Sequence, residues 1–397
     1  MPKDTINEAI KKCFELCESV SNSTKYNVYG KLYNQIYSSS DSYVHYYPRT
    51  LVAQLTSECN LRCKHCFFSE NQEKYNSKND LSNKKIFEQI KYFVEEVNIL
   101  SCTLTGGEIF TSPILFEVIE YLKKHNISLK LITNGTLIDE KQANKLGKFL
   151  NPKFDIIQIS LDGAKKETND KIRGVGVFNK VINSIKLLNQ NHCNIELGFT
   201  INACNVCEIS DLYLLAKKYG VKKINYGRFT QEYVSQNFLN PNIEDIFINV
   251  SKLADIYDES VKLRLPCIVV PDYLRYETGR KLLDEKLENN KIMLTNLKCK
   301  QHDEQVTLFA NGNISLCYDC TVKDVVIGNI AKNSFEEIWN NRFKSPIFQD
   351  RKMSEHECKH CKYISICKAG CPYRAIVNFG STKMPGYDCS YYKILKG

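Results

Sequence analysis

Cys59–Cys66, CNLRCKHC, follows directly on the apolar run Leu51–Thr56, LVAQLT, and packs three cysteines into eight residues. A strand that runs into clustered thiols admits three readings: a disulfide knot, a zinc site, or a metal cluster that needs three thiolates and no fourth. Structural zinc takes four ligands in a closed tetrahedron, and residues 67–101 supply no further Cys or His. His65 sits between two of the cysteines and is poorly placed to join them on one ion. A [4Fe–4S] cube has four irons, so three thiolates leave the fourth open to a substrate.

The rest of the chain sets the redox context. Its 397 residues suffice for a sizeable core and two domains. With 43% hydrophobic and 25% charged residues it has the balance of a soluble globular protein. No apolar run reaches the roughly 18 residues a bilayer span requires. The start, MPKDTINEAIKKCFELC, is amphipathic and charged, without a secretory apolar core, which places the protein in the cytoplasm and off the membrane. In a reducing compartment 18 cysteines argue for metal ligation over disulfides. The net charge of +9 is spread along the chain. It suits an acidic partner, but no Lys/Arg cluster resembles a nucleic-acid arm, and no nucleic-acid partner is expected.

From about Thr50 to Tyr273 short β-branched runs alternate with helical stretches. The runs are LVAQLT, CTLTGG, LKLITNG, DIIQISLDG, NIELGFTIN and KINYGRF. Between them, Lys85–Val97 spaces Ile86, Ile90, Phe93, Val94 and Val97 as one helical face. Six βα units imply a parallel sheet, open or closed into a partial barrel, with ligands at the C-terminal strand ends. Cys59, Gly106-Gly107-Glu108, Asn134-Gly135 and Asp162-Gly163 all follow their strands. Residues 1–48 form a helical N-terminal extension in which Tyr26, Tyr29 and Tyr33 share a face, a candidate substrate or leader contact. The α/β unit occupies 49–275 and includes a helical stretch over about 243–264. A charged connecting helix spans 276–296, and a cysteine-rich domain spans 297–397.

These motifs resemble the radical SAM superfamily. CNLRCKHC matches its cluster loop, with Cys59, Cys63 and Cys66 as iron ligands. TGGEIF matches the segment where Gly106, Gly107 and Glu108 meet the methionine amino group. ITNGT and ISLDG, with Asn134, Ser160 and Asp162, match segments near the ribose and methionine carboxylate. IRGVGVF, with Arg173, matches a segment of peptide-modifying members. His65 stands where many members carry Phe, Tyr or Trp against the adenine. The resemblance covers about 50–275 and implies a partial (β/α)6 TIM-like barrel. It also implies reductive cleavage of S-adenosylmethionine and hydrogen abstraction by the 5′-deoxyadenosyl radical.

The C-terminal order Cys299, Gly312, Cys317, Cys358, Cys361, Cys367, Cys371, Cys389 closely resembles the SPASM domain. The spacing alone would also admit zinc. The resemblance implies two auxiliary [4Fe–4S] clusters, three in all with the radical SAM cube. One would take Cys299, Cys317 and Cys371 with Cys320 as a fourth ligand or an open iron, the other Cys358, Cys361, Cys367 and Cys389. Cys204 and Cys207, a lone CxxC, read as small buried thiols, as do Cys13, Cys17 and Cys102.

SPASM-bearing members mostly modify peptides or proteins. The expected function is therefore a maturase of a ribosomally made peptide that forms a crosslink such as a thioether, with an electron donor such as flavodoxin or ferredoxin. The alternatives are a formylglycine-forming anaerobic sulfatase-type maturase and a small-molecule or tetrapyrrole radical enzyme. Sulfatase-type enzymes usually carry Asp directly after the glycine-linked cysteine, where this chain has Tyr318 and then Asp319. Asp319, Tyr318 and Arg228, at the end of the sixth strand, are the candidate acid/base groups.

Overall fold

The computed structural model describes residues 3–23, 47–66, 77–229, 239–289, 304–318, 326–345, 353–386 and 389. Strands β1 (Thr50–Gln54), β2 (Ser101–Thr105), β3 (Ser128–Thr133), β4 (Ile156–Ser160), β5 (Ile195–Ile201) and β6 (Lys223–Arg228) pair in order, all parallel. The connecting helices include α1 (Asn83–Glu95), α2 (Leu115–Lys124), α3 (Glu140–Phe149), α4 (Lys166–Arg173), α5 (Val177–Gln190) and α6 (Ile209–Lys218).

Local sequence explains the helices. The Ser82 hydroxyl accepts from the Lys85 N–H and starts α1, which buries Ile86, Ile90, Phe93 and Val94 against the sheet. Asp139 and Gln142 close a reciprocal capping box at the start of α3. Along β3 and β4 buried and half-buried residues alternate. One face packs on helices while the other turns toward the barrel interior.

Two features depart from the sequence reading. The helical stretch expected over 243–264 ends at Ile256, where α7 (Ile243–Ile256) stops, and Lys262–Arg264 forms a seventh parallel strand, β7, beside β6. Three residues are too few to carry a visible period. Beyond the helix α8 (Glu277–Asn289), the cysteine-rich part begins inside the same sheet. β8 (Gln305–Leu308) pairs parallel with β1, and β9 (Asn313–Ser315) and β10 (Val326–Asn329) continue it antiparallel. The strand order is β10-β9-β8-β1-β2-β3-β4-β5-β6-β7, an α/β sheet with β7 and β10 at its edges. Gly312 holds φ +84 in the turn between β8 and β9, a conformation that favours glycine. The Gln54 side-chain oxygen accepts from the Ala310 N–H at 3.1 Å and ties β1 to that turn.

The N-terminal helix over Lys3–Ser23 buries Ile6, Ala9, Ile10, Cys13 and Leu16 and docks on α7 and α8. Its apolar face is thereby occupied, and Tyr26, Tyr29 and Tyr33 lie outside the described residues. Among the described residues no helix is long and apolar enough to cross a membrane.

Candidate active site

The loop after β1 is clamped from three sides. The Asp80 carboxylate accepts from the Ser57 N–H at 2.7 Å and the Ser57 hydroxyl at 2.8 Å. The Gly107 and Glu108 N–H groups donate to the Thr56 and Glu58 carbonyls, both at 2.8 Å. The Lys64 N–H donates to the Ile172 carbonyl at 3.0 Å. A Cβ at Gly106 would meet the Thr56 oxygen at 2.6 Å, and one at Gly107 the Glu58 oxygen at 2.3 Å. The glycines are therefore needed so that the turn after β2 can lie against the cluster loop.

Held this way, Cys59, Cys63 and Cys66 face a cavity of about 870 Å³ at the C-terminal ends of the strands. His65, Gly106, Gly107, Asn134, Ser160 and Arg173 line it too, as do Cys317 and Tyr318 from the C-terminal region. The Asn134 amide nitrogen lies 3.9 Å from Cys59 Sγ, and Arg173 Nη1 lies 4.0 Å from Cys63 Sγ. Burial pushes the Cys63 thiol up to about 11, with the Arg173 charge pulling the other way. Tyr318 stacks on Phe309, ring centroids 6.0 Å apart.

Two of the acidic residues expected at the cofactor sit behind the wall. Glu108 is fully buried. Its carboxylate accepts from the Thr133 hydroxyl at 2.6 Å, the Asn134 N–H at 2.7 Å and the Phe110 N–H at 3.1 Å. Burial raises its pKa, and those donors oppose the rise. Asp162 is also buried. One oxygen accepts from the Thr200 N–H at 2.7 Å, and the other lies 2.6 Å from Arg173 Nε and 3.2 Å from His65 Nε2. Asp162 thus orients two residues that do line the cavity, and burial lowers the His65 pKa.

Arg228 is not brought to the cavity. Its guanidinium donates to Asp272 at 2.9 Å, and the same Asp272 oxygen accepts from the Val269 N–H. The strand end is occupied by an internal ion pair. Cys207 is exposed, whereas a buried thiol was expected; Cys204 packs at the edge of Phe229 and Leu239. Cys13 is buried, its thiol donating to the Phe247 carbonyl at 3.0 Å, and Cys102 is buried in the core. Asp319, Cys299 and Cys320 lie outside the described residues.

The interior strand positions were missed by motif reading. Lys130, Gln158, Thr200, Asn225, Arg264 and Gln305 line the same cavity. Lys130 and Gln158 carried a signal, each a polar residue at an inward position of a mostly apolar strand, whereas Arg264 on the three-residue β7 carried none.

In the C-terminal region the Cys367 thiol is pushed up to about 12, by burial first and then by Cys389, Cys361 and Cys358. Those four thiols therefore lie within Coulomb reach of one another. Cys371 is raised by burial, with a contribution from Cys317. The donor sets suit polynuclear iron–sulfur groups. Three thiols share one pocket with the buried Nδ1 of His65, which has no partner among the described residues, and that pocket also has room for a nucleotide. Cys59, Cys63 and Cys66 would hold the first cluster.

Comparison with known proteins agrees with this chemistry. Residues 54–211 match the radical SAM superfamily model, and residues 299–362 match the SPASM iron-sulfur cluster-binding domain. The AdoMet-dependent heme synthase of Methanosarcina barkeri is 26% identical over 84% of this chain and 93% of its own length. The antilisterial bacteriocin subtilosin biosynthesis protein AlbA of Bacillus subtilis is 26% identical over 80% of this chain and 66% of its own. A cysteine-type anaerobic sulfatase-maturating enzyme of Clostridium novyi is 27% identical over 86% and 92%. Among solved structures, native anSMEcpe with bound AdoMet and Kp18Cys peptide superposes with a TM-score of 0.64 at 22% identity. The superposition covers 87% of this chain and 95% of that one.

Proposed function

Since the chain is an enzyme that carries a radical SAM domain followed by a SPASM domain, we propose that it is a peptide maturase. Its domains imply [4Fe–4S] clusters and S-adenosylmethionine. Bound there, the first cluster would supply the one-electron reduction of S-adenosylmethionine on which hydrogen abstraction from a substrate depends. This chain's residues do the positioning. Cys59, Cys63 and Cys66 hold the cluster, while Gly106, Gly107, Asn134 and Ser160 form the nucleotide wall. Asp162 fixes His65 and Arg173. Two auxiliary clusters would fill the C-terminal thiol sets, the first of them completed by Cys299 and by either Cys320 or an open iron.

The observation that carries the reading is the reach of Cys317 and Tyr318 into the same cavity as the cluster loop. A substrate held there lies between the nucleotide and the C-terminal thiols. The pocket's volume admits several residues of a peptide, and AlbA is named for bacteriocin biosynthesis. The modified residue would form a crosslink such as a thioether, with electrons delivered by a flavodoxin or ferredoxin. A tetrapyrrole reading is favoured by one fact, the alignment of the heme synthase along 93% of its length. A sulfatase-type reading has a relative at 27% identity but lacks the adjacent aspartate.

The test is anaerobic reduction with dithionite, followed by assay for 5′-deoxyadenosine. Any short cysteine- or glycine-rich peptides encoded beside the gene are then supplied and analysed by mass spectrometry. A crosslinked peptide lighter by a pair of hydrogens is the expected product. Turnover of a porphyrin with every peptide left unchanged would overturn the peptide assignment.

A further inference from the structure

Deep in the barrel, below the nucleotide wall, the charges do not balance. Glu196 on β5 is buried at 2% exposure, and its two oxygens meet Lys130 Nζ at 3.0 Å and Lys223 Nζ at 3.1 Å. In the sheet register Glu196 pairs with Lys223 and Lys223 with Lys262, so all three side chains share the interior face. One row higher, Gly198, Asn225 and Arg264 are aligned. Gly198 contributes no side chain there, and Arg264 has no carboxylate within ion-pair distance among the described residues. Two cations thus hold the single carboxylate, while Lys262 and Arg264, exposed on the edge strand β7, have no carboxylate partner among the described residues. Lys130 and Arg264 line the cavity together with Gln158 and Asn225. The Oδ1 atom of Asn225 is buried without a partner among the described residues.

Uncompensated positive charge around a partly enclosed polar pocket is a recognition element for an anion, and a guanidinium beside amide groups suits a carboxylate. We infer that Arg264 and Lys130, with Gln158 and Asn225, bind a carboxylate side chain of the substrate. The proposal rests on the peptide reading and names an acidic residue as what the β7 side of the cavity selects. Its position sets a spacing. Lys130 precedes Asn134 by four residues along β3 and its exit, about 13 Å at the ~3.3 Å rise of a parallel strand. An extended peptide spans that distance in about four residues. The acidic side chain therefore sits some three to four residues from the carbon presented to the nucleotide.

Two blocked peptides probe this, acetyl-Cys-Gly-Gly-Asp-amide and its Asn isostere, titrated calorimetrically into anaerobically reconstituted holoenzyme with S-adenosylmethionine present. The acidic peptide should bind about tenfold more tightly than the isostere, as one charge-assisted contact provides. Arg264→Gln should erase the preference, Arg264→Lys should restore part of it, and Arg264→Glu should favour a Lys peptide instead. Arg264 is exposed at the sheet edge, so these variants fold without disturbing the Glu196 pair. Equal affinities in the wild-type protein, or an undiminished preference in Arg264→Gln, would overturn the site. Failure of the peptide reading registers separately: an aspartate preference alongside porphyrin turnover would remove the peptide and keep the carboxylate pocket.

Discussion

Each strand from β1 to β6 contributes a residue with no solvent contact: Leu51, Leu104, Leu131, Ile157, Leu197 and Ile224. In segment 353–386, by contrast, the self-contained buried cluster is Cys358 with Ala369, edged by Cys361 and Ile364. Fully burying each of the first six contributes about 1.5–3 kcal/mol. The second region adds only Tyr363 and Tyr373 as large buried side chains, both of which pack on the main core rather than on a core of their own. It also carries strain: Lys368, Ala369 and Gly370 lie in the left-handed region one after another, with φ of 54, 56 and 74. For Lys and Ala that costs roughly 1–2 kcal/mol each. The run reverses the chain between Cys367 and Cys371, which belong to different thiol sets. Where apolar burial is scarce and the backbone is strained, ligation has to supply the folding free energy, which for structural metal sites is on the order of 10 kcal/mol.

Stripping iron is the harshest way to break this comparison. Amide exchange on the holoenzyme and on chelator-treated protein should show the sheet keeping its protection at Leu104, Leu131 and Ile157. Over 353–386 protection should vanish. If that segment stays protected without iron, its stability comes from packing and the contrast is lost.

The next test lies inside the sheet region, at Glu108. Alanine there strands the Thr133 hydroxyl and the Asn134 and Phe110 N–H groups in a buried site. Each buried donor without an acceptor costs about 1–3 kcal/mol. Glu108→Ala should lower stability by roughly 3–5 kcal/mol, read as a loss in the melting temperature of the sheet, with Glu108→Gln falling between it and wild type. A melting temperature within a degree or two of wild type would show that the clamp contributes nothing.

Glu108 also marks where sequence reading stops. The strands and the ligand cysteines were legible because they depend on local period and spacing. The Gly-Gly-Glu motif was legible as a loop at a strand end. The direction of its carboxylate was not, because the acceptor's donors come from Thr133 and Asn134 on the next strand. The surroundings of Arg228 were hidden for the same reason: its partner Asp272 lies 44 residues on. The pairing of Thr50 with Gln305, which joins the cysteine-rich part to the sheet, has no local signature at all. The charged floor of the barrel was legible only as single residues, since Lys130, Glu196, Lys223 and Arg264 meet only through sheet register.

The smallest effect sharpens the comparison most finely. Ser82 and Ser334 perform the same task, one in the sheet region and the other just before the second region. Ser82 accepts from the Lys85 N–H at the start of α1, and Ser334 accepts from the Glu337 N–H at the start of the helix Phe335–Asn341. Losing either cap costs about 1 kcal/mol. The chemistry being equal, any difference in readout reports how each helix is coupled to its surroundings. Phe335 packs on Phe93 of α1, ring centroids 4.6 Å apart, so the second helix is moored to the sheet region through an aromatic contact. Ser82→Ala and Ser334→Ala should therefore both lower the sheet's melting temperature, by a few degrees each. Neither should change the iron-dependent protection of 353–386. If Ser334→Ala instead loosens 353–386 and spares the sheet, the boundary between apolar and ligand-held structure lies before Phe335, and the β8–β10 ladder belongs with the clusters.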